Sequence, residues 1–279
     1  MHFKGHVFAA AAASLLMAVA ADSQGPAPAS PTYADLADLS LGAPVAAHVR
    51  LKRAAALKPA EAGNMAPGRT RFYIVADVVS LIRGSEGLPA QVSYLADLPQ
   101  VGGKPPKLAK KSEFILLARP VPGRAGELQL VSPDAQLPFT PERVAMLRSI
   151  LRQGAAADAP PTITGIGRAF HVPGTIPGES ETQIFLETAD GRPVSLSVLR
   201  RPGQSPRWAV ALTEVTDDAA APPAPNSLLW YRLACALPRT IPAKSFADSP
   251  GQAEAIRSDY DVVIKGLGPC ARTRTPARG

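Results

Sequence analysis

The spacing of apolar and polar positions divides the chain into two β-rich parts and a helical end. Five segments of the first part combine alternating polarity with many β-branched and aromatic residues, which is typical of strands. They are residues 45–57, 71–82, 91–98, 114–121 and 127–131. Turn-forming sequences such as RGSEGLP separate them. The pattern therefore predicts five consecutive strands joined by turns and loops.

A helix is predicted after the fifth strand. Thr140 is a suitable N-cap, and Pro141 suits the first helical position. Val144 and Leu147 recur on one apolar face, and Gly154 favours the end of the helix. The first part of the chain is thus predicted to be five strands closed by one helix.

The second part repeats the order of strands followed by helices. Four further segments have the composition of strands: 163–172, 182–191, 193–201 and 207–215. Residues 227–237 follow as a helix, and Ser249, Pro250 and Gln252 form the N-terminal capping pattern of another. This order predicts a second β-rich unit with a helical pair at its end.

Together these elements predict an α+β fold, mainly antiparallel, with two small barrel- or sandwich-like modules and a C-terminal two-helix element. The modules span residues 35–154 and 163–279, and the Pro-containing residues 155–162 link them. An oligonucleotide/oligosaccharide-binding barrel also has five strands, but its helix lies between the third and fourth. Because the predicted helix follows the fifth strand, the sequence alone does not assign that fold.

The N-terminus has the three parts of a secretory signal. Lys4 provides the positive charge, Val7 to Ala20 is uncharged and mostly apolar, and Ala18-Val19-Ala20 is a small-x-small cleavage site. The apolar run is shorter than the roughly 20 residues of a membrane span, although an uncleaved anchor is the alternative. We therefore predict a cleaved signal over residues 1–21 and a flexible Pro/Ala-rich linker over 22–34. The mature chain, without a transmembrane segment, is expected to be periplasmic or secreted.

Cysteine and histidine are scarce. The two cysteines, Cys235 and Cys270, are expected to form a disulfide in an oxidising compartment and to join the two C-terminal helices. His48 and His171 are the histidines that follow the predicted signal, and they are far apart in sequence. The sequence therefore predicts neither a metal site nor a cofactor.

The charge of the chain suggests an anionic partner. The formal net charge is +7, which favours contact with polyanions, although such an excess also serves solubility. One loop concentrates lysines at positions 104, 107, 110 and 111, making Lys104, Lys107, Lys110 and Lys111 the candidate anion-binding residues. The sequence does not identify the partner: an anionic polymer of the cell envelope is one candidate, and solvated loop lysines that block aggregation at a sheet edge are the alternative. Nucleic acid is disfavoured, because few aromatic residues are interspersed with the charges.

Catalytic signals are weak. The sequence contains no H-E-x-x-H, G-x-S-x-G or Walker motif. His171 ends a predicted strand, and Ser180 and Glu181 follow it, so these three residues are candidates for a hydrolytic site. Carboxylate pairs also occur, at Asp217 with Asp218 and at Asp259 with Asp261. The expected function is non-catalytic binding or scaffolding at the envelope, and an envelope hydrolase using His171 or a carboxylate pair is the alternative.

Overall fold

A computed structural model describes residues 30–85, 87–213 and 220–274, so the predicted signal lies outside the described residues. The first half contains α1 (Tyr33–Ser40), β1 (Val45–Ala56), α2 (Pro59–Ala62), β2 (Arg69–Arg83), β3 (Gln91–Pro99), β4 (Glu113–Pro120), β5 (Glu127–Leu130), β6 (Gln136–Pro138) and α3 (Pro141–Ala155). The second half contains β7 (Ile163–Pro173), β8 (Ser180–Thr188), β9 (Val194–Arg200), β10 (Arg207–Ala211), α4 (Leu228–Ala234) and α5 (Ala253–Leu267). Among the described helices, none combines the length and apolar character needed to cross a bilayer.

The first five strands close into a barrel. Their order is β1-β2-β3-β5-β4, and β4 pairs again with β1. Neighbouring strands are antiparallel except β3 and β5, which run parallel with Ser93 opposite Glu127. This is the strand order of the oligonucleotide/oligosaccharide-binding barrel. The connection between β3 and β4 contains no helix, so the resemblance lies in the strands alone.

Alternation along β2 and β3 gives the barrel an inner and an outer face. The inward side chains form a buried cluster: Phe72, Ile74 and Ala76 from β2 and Val92, Tyr94 and Ala96 from β3. Successive side chains of a strand point to opposite faces. The residues between these core positions, such as Tyr73 and Leu95, therefore point away from the barrel interior.

The opposite side of the barrel is buried on both faces. Val49 and Leu116 point into the barrel, whereas Ala46, Ile115 and Leu117 belong to a second hydrophobic core outside it. The continuous apolar run of β4 is the sequence pattern of a strand that is covered on both sides. Helices α1 and α3 supply the outer cover, which leaves the side formed by β2, β3 and β5 facing solvent.

The second sheet is antiparallel in the order β10-β9-β8-β7. Its inward residues, including Ile166, Ile184 and Leu196, join the same core as the helices and the outer face of β1 and β4. The described residues from Pro31 onward belong to one compact unit. Each predicted module thus provides one sheet of a shared core. The boundaries at 35–154, 155–162 and 163–279 stay a prediction.

The residues that follow α5, 268–274, form a C-terminal segment that binds α1. Cys235, which caps α4, forms a disulfide with Cys270 beyond α5, with their Cα atoms 5.0 Å apart. The backbone amides of Thr273 and Arg274 then donate to the Asp35 carboxylate at 3.1 Å. Burial raises the pKa of Asp35, but hydrogen bonds from the Thr273 hydroxyl and from the backbone amides of Thr32, Arg274 and Thr273 outweigh it and hold the pKa below its usual value. Residues 273–274 are thereby connected to α1, a helix that the sequence pattern does not predict.

The contact between α5 and β10 depends on a residue without a side chain. A Cβ atom at Gly266 would overlap the indole ring of Trp208. We therefore expect Gly266→Ala to destabilise the fold by about 1–3 kcal/mol despite the better helix propensity of alanine. Urea denaturation of the wild type and the variant measures this difference. Gly251→Ala is the matched control, since its Cβ would meet open space, and equal stability of Gly266→Ala and wild type would contradict the prediction.

Candidate functional site

A groove crosses the open side of the barrel over β2, β3 and β5. It encloses about 540 Å³. Its floor consists of outward side chains, among them Arg71 and Tyr73 on β2 and Leu95 and Asp97 on β3. The turn between β4 and β5, residues 121–126, contributes one wall. Barrels with this strand order use strands 2 and 3 and the loop between strands 4 and 5 to bind ligands, so the groove occupies the corresponding position.

Two apolar side chains lie side by side in the floor. Tyr73 and Leu95 are directly opposite each other in the β2–β3 pairing. They are 37% and 47% exposed, respectively. A tyrosine ring beside an aliphatic side chain gives a ligand an apolar contact surface with a polar edge. This pair therefore makes the floor suitable for a flat, partly apolar group.

An ion pair fixes one end of the floor. Arg71 donates through Nε and Nη2 to the two carboxylate oxygens of Asp97, each at 2.7 Å, and through Nη1 to the Ala62 carbonyl at 2.6 Å. The hydrogen bonds from Arg71 hold the pKa of Asp97 below its usual value. Bidentate pairs of this kind are geometrically specific. Arg71 and Asp97 are thus held in one orientation, with both charges satisfied.

The other end of the groove has an excess positive charge. Arg124 donates to Glu127 at 3.1 Å, so these two charges are also paired. Arg119 is exposed and lies opposite Gln129 in the β4–β5 pairing. Within the described residues, Arg119 has no ion pair or hydrogen bond to a carboxylate. The groove therefore combines two neutralised cations with one that remains available.

The predicted lysine loop lies beside the groove rather than in it. Lys104, Lys107, Lys110 and Lys111 are exposed on the connection from β3 to β4, and they do not line the cavity. This connection begins after Pro99, two residues beyond Asp97 on the same strand. The lysines thus add positive charge beyond one end of the floor, and their anion binding stays a prediction.

His171 belongs to a hydrogen-bonded chain beneath the second sheet. Its Nδ1 atom is 2.8 Å from Thr182 Oγ1, and Thr182 donates its hydroxyl proton to the buried carboxylate of Asp259. Because a hydroxyl has one proton, His171 must donate to Thr182 from Nδ1. Arg200 Nε donates to the other oxygen of Asp259 at 2.5 Å. The chain thus anchors α5 to β7, β8 and β9.

The other hydrolytic candidates do not converge on His171. Ser180 and Glu181 line a separate cavity of about 210 Å³ together with Leu199, and His171 is not among its lining residues. No hydrogen bond joins His171 to Ser180 or Glu181 in the described part of the chain. Residues 217–218, the other carboxylate pair, lie outside the described residues. In the described residues, His171 therefore bonds to Thr182 in a contact that stabilises the fold, and neither Ser180 nor Glu181 is its partner.

No group of three or more His, Cys, Asp or Glu side chains is placed to hold a metal within residues 30–85, 87–213 and 220–274. Comparison with models of known protein families and with curated protein sequences finds no match for this chain. The function is therefore inferred from the barrel, its groove and the side chains that line the groove.

The sequence pattern does not single out the groove residues. Tyr73 and Leu95 were recognisable only as strand residues, although their places between the core positions of β2 and β3 predict outward side chains. Arg119 follows the buried run of β4 and carried no distinguishing pattern. Arg119 is important because the neighbouring arginines of the groove are paired with carboxylates and, within the described residues, it is not. Part of that pairing depends on contacts between residues that are far apart in sequence.

The role of Asp259 can be tested by removing its charge. Asp259→Asn keeps the shape of the side chain but loses the ion pair with Arg200 and disturbs the bond from Thr182. We expect the free energy of unfolding to fall by about 1–3 kcal/mol, as measured by urea denaturation. Asp261→Asn, on the exposed side of the same helix, should leave stability unchanged. If the two variants were equally stable, Asp259 would not have this structural role.

The lowered pKa of Asp97 predicts a pH dependence of stability. The folded state favours the carboxylate, so this group stabilises the fold above the ordinary aspartate pKa of about 3.9. The contribution is lost as the pH falls through the lower pKa of the folded state. The stability difference between wild type and Asp97→Asn should therefore be constant near neutrality and shrink below about pH 4. Denaturation midpoints of wild type and Asp97→Asn, measured against pH, test this, with the exposed Asp158→Asn as the control. A stability difference between wild type and Asp97→Asn that grew in acid would contradict the prediction.

Proposed function

We propose that this protein is an exported, non-catalytic binding protein that holds an extended anionic glycan in the groove across β2, β3 and β5. The observation that carries the proposal is the exposed Tyr73–Leu95 pair on the open face of the barrel, in a groove that Arg71, Asp97 and Arg119 also line. The position of the groove is supported by analogy with barrels of the same strand order. The kind of ligand is inferred from the side chains themselves.

The lining of the groove favours a glycan over other extended polymers. Tyr73 offers an apolar face against which a sugar ring can pack, and Ser93 and Gln129 offer hydrogen-bonding groups to hydroxyls. A nucleic-acid groove is strongly positive along its whole length, because every nucleotide brings a phosphate. Here Asp97 and Glu127 neutralise two of the three arginines. The groove is therefore better suited to a chain with sparse negative charges, such as a carboxylated polysaccharide.

Export is part of the proposal. It is supported by the predicted signal over residues 1–21 and by the Cys235–Cys270 disulfide, a bond that persists in oxidising compartments. The exposed lysine loop, residues 104–111, would attract an acidic glycan electrostatically. The range of this attraction decreases as the salt concentration rises. Localisation to the envelope, whether periplasmic or secreted, would bring the groove into contact with such polymers.

The hydrolase alternative has weaker support. A hydrolytic site needs a cleft with a base within reach of its nucleophile or water. The proton that His171 donates goes to Thr182, whose own proton goes to a buried carboxylate, and Ser180 lies in a different cavity. The hydrolase remains a hypothesis that no contact of the described residues favours.

Removal of the Tyr73 ring tests the proposed function. Partly esterified alginate, in which only some of the uronic acids keep a free carboxylate, serves as the carboxylated probe in this and the following experiments, and neutral dextran serves as the uncharged one. We expect wild-type protein to bind alginate but not dextran in isothermal titration calorimetry. Tyr73→Ala should weaken alginate binding by about tenfold, or roughly 1.4 kcal/mol, because the sugar loses its packing surface.

The matched control is Phe185→Ala, which removes a similarly exposed aromatic ring from the second sheet. It should leave alginate affinity unchanged. Replacing Lys104, Lys107, Lys110 and Lys111 with glutamine should lessen the dependence of binding on salt. The proposal would fail if wild-type protein ignored alginate, if Phe185→Ala weakened binding as much as Tyr73→Ala, or if single-stranded oligothymidylate bound more tightly than alginate.

A further inference from the structure

A second cavity adjoins the groove. It encloses about 390 Å³ and shares Arg119, Val131 and Ser132 with the groove as lining residues. Its far wall comes from other parts of the chain: Asp38 on α1 and Arg274 in the C-terminal segment. The two cavities therefore meet at Arg119, where the barrel face adjoins the surface formed by α1 and Arg274.

The charges around the second cavity are fixed in pairs. Arg274 donates to both oxygens of Asp134 at 2.6 and 2.7 Å. Arg272 donates to both oxygens of Asp38 at 2.6 and 3.0 Å. The hydrogen bond from Arg274 holds the pKa of Asp134 below its usual value, although burial opposes it. The walls of this cavity are thus held in place by satisfied ion pairs.

Arg119 is the exception to this pairing. Arg71, Arg124 and Arg274 each have a carboxylate partner, whereas Arg119 has none among the described residues. A guanidinium binds a carboxylate through two parallel hydrogen bonds in a defined plane. The uncompensated charge thus lies at the junction of the two cavities and can bind one carboxylate of a chain that passes over it.

We propose that the ligand of the groove is an oligosaccharide that continues past Arg119 into the second cavity, with one of its carboxylates bound by Arg119. The inference rests on the proposed function, and it adds a length requirement to it. The barrel part alone crosses from β2 to β4, three strand spacings or about 14 Å. A ligand confined to the groove leaves the second cavity empty, so a longer chain gains additional contacts there.

Gly42 offers a way to block the second cavity without disturbing the groove. It lines that cavity, and a Cβ atom at this position would meet nothing within 4 Å. Gly42→Phe should therefore fill the cavity with an aromatic ring at little cost to the fold. Gly251→Phe, at another open glycine outside both cavities, is the matched control.

The experiment measures the affinity of alginate oligomers of increasing length by calorimetry. For wild type and Gly251→Phe we expect affinity to rise with length until both cavities are filled. Gly42→Phe should bind short oligomers normally and gain nothing from further length. Arg119→Gln should weaken binding of long oligomers by about tenfold, and Arg119→Lys should restore part of the loss, since it keeps the charge but not the paired hydrogen bonds.

The outcomes separate this inference from the proposed function. If Gly42→Phe keeps the full length dependence, or if Arg119→Gln binds long oligomers as wild type does, the extension into the second cavity is wrong. Binding that still depends on Tyr73 would in that case leave the groove as the site. Absence of alginate binding by the wild type would overturn both. Circular dichroism and urea denaturation of each variant confirm that the comparison is made between folded proteins.

Discussion

The double burial of β1 and β4 is the constraint on which the rest of the molecule depends. Pairing between these strands, with Val45 opposite Ala118 and Arg50 opposite Glu113, closes the barrel. Their outer side chains, such as Ile115 and Leu117, form a continuous apolar surface. Exposure of this surface to water would cost free energy in proportion to its area. Helices α1 and α3 and the second sheet cover them. Since the cover occupies one side of the barrel, the open face, and with it the groove, falls on β2, β3 and β5.

The same cover links α1 to the described residues that follow α5. Helix α1 packs in the shared core through Leu36 and Ala37, while its polar side receives the C-terminal segment through Asp35 and Asp38. The Cys235–Cys270 disulfide constrains where that segment begins. Loop-closure constraints of this kind stabilise the native state chiefly by restricting the unfolded chain. The wall of the second cavity is therefore built from residues that come together only in the complete fold.

Local patterns in the sequence predicted local structure well and long-range contacts poorly. The β-rich α+β fold, its antiparallel character and helix α3 followed from periodicity and capping at Thr140, and the fold class is confirmed. Thr32 and Asp35 form a capping box before α1, but the Pro/Ala-rich residues that precede it have the composition of a linker, so the sequence does not predict this helix. The parallel β3–β5 pairing and the Thr182–Asp259 contact join distant residues, and no local signal specifies them.

Charge pairing sets the electrostatic character of the groove within a chain whose formal net charge is +7. Several arginines, including Arg71, Arg200, Arg272 and Arg274, form ion pairs with carboxylates that hold the fold together. Such pairs fix geometry and neutralise the charges they contain. On the groove the unpaired positive charge is sparse, with Arg119 beside an apolar pair, whereas the exposed lysine loop carries it densely. Under the proposed function, a ligand for both regions combines widely spaced anions with apolar surface between them. An acidic glycan has this combination where only some of its sugars carry a carboxylate, whereas a nucleic acid carries a phosphate at each nucleotide.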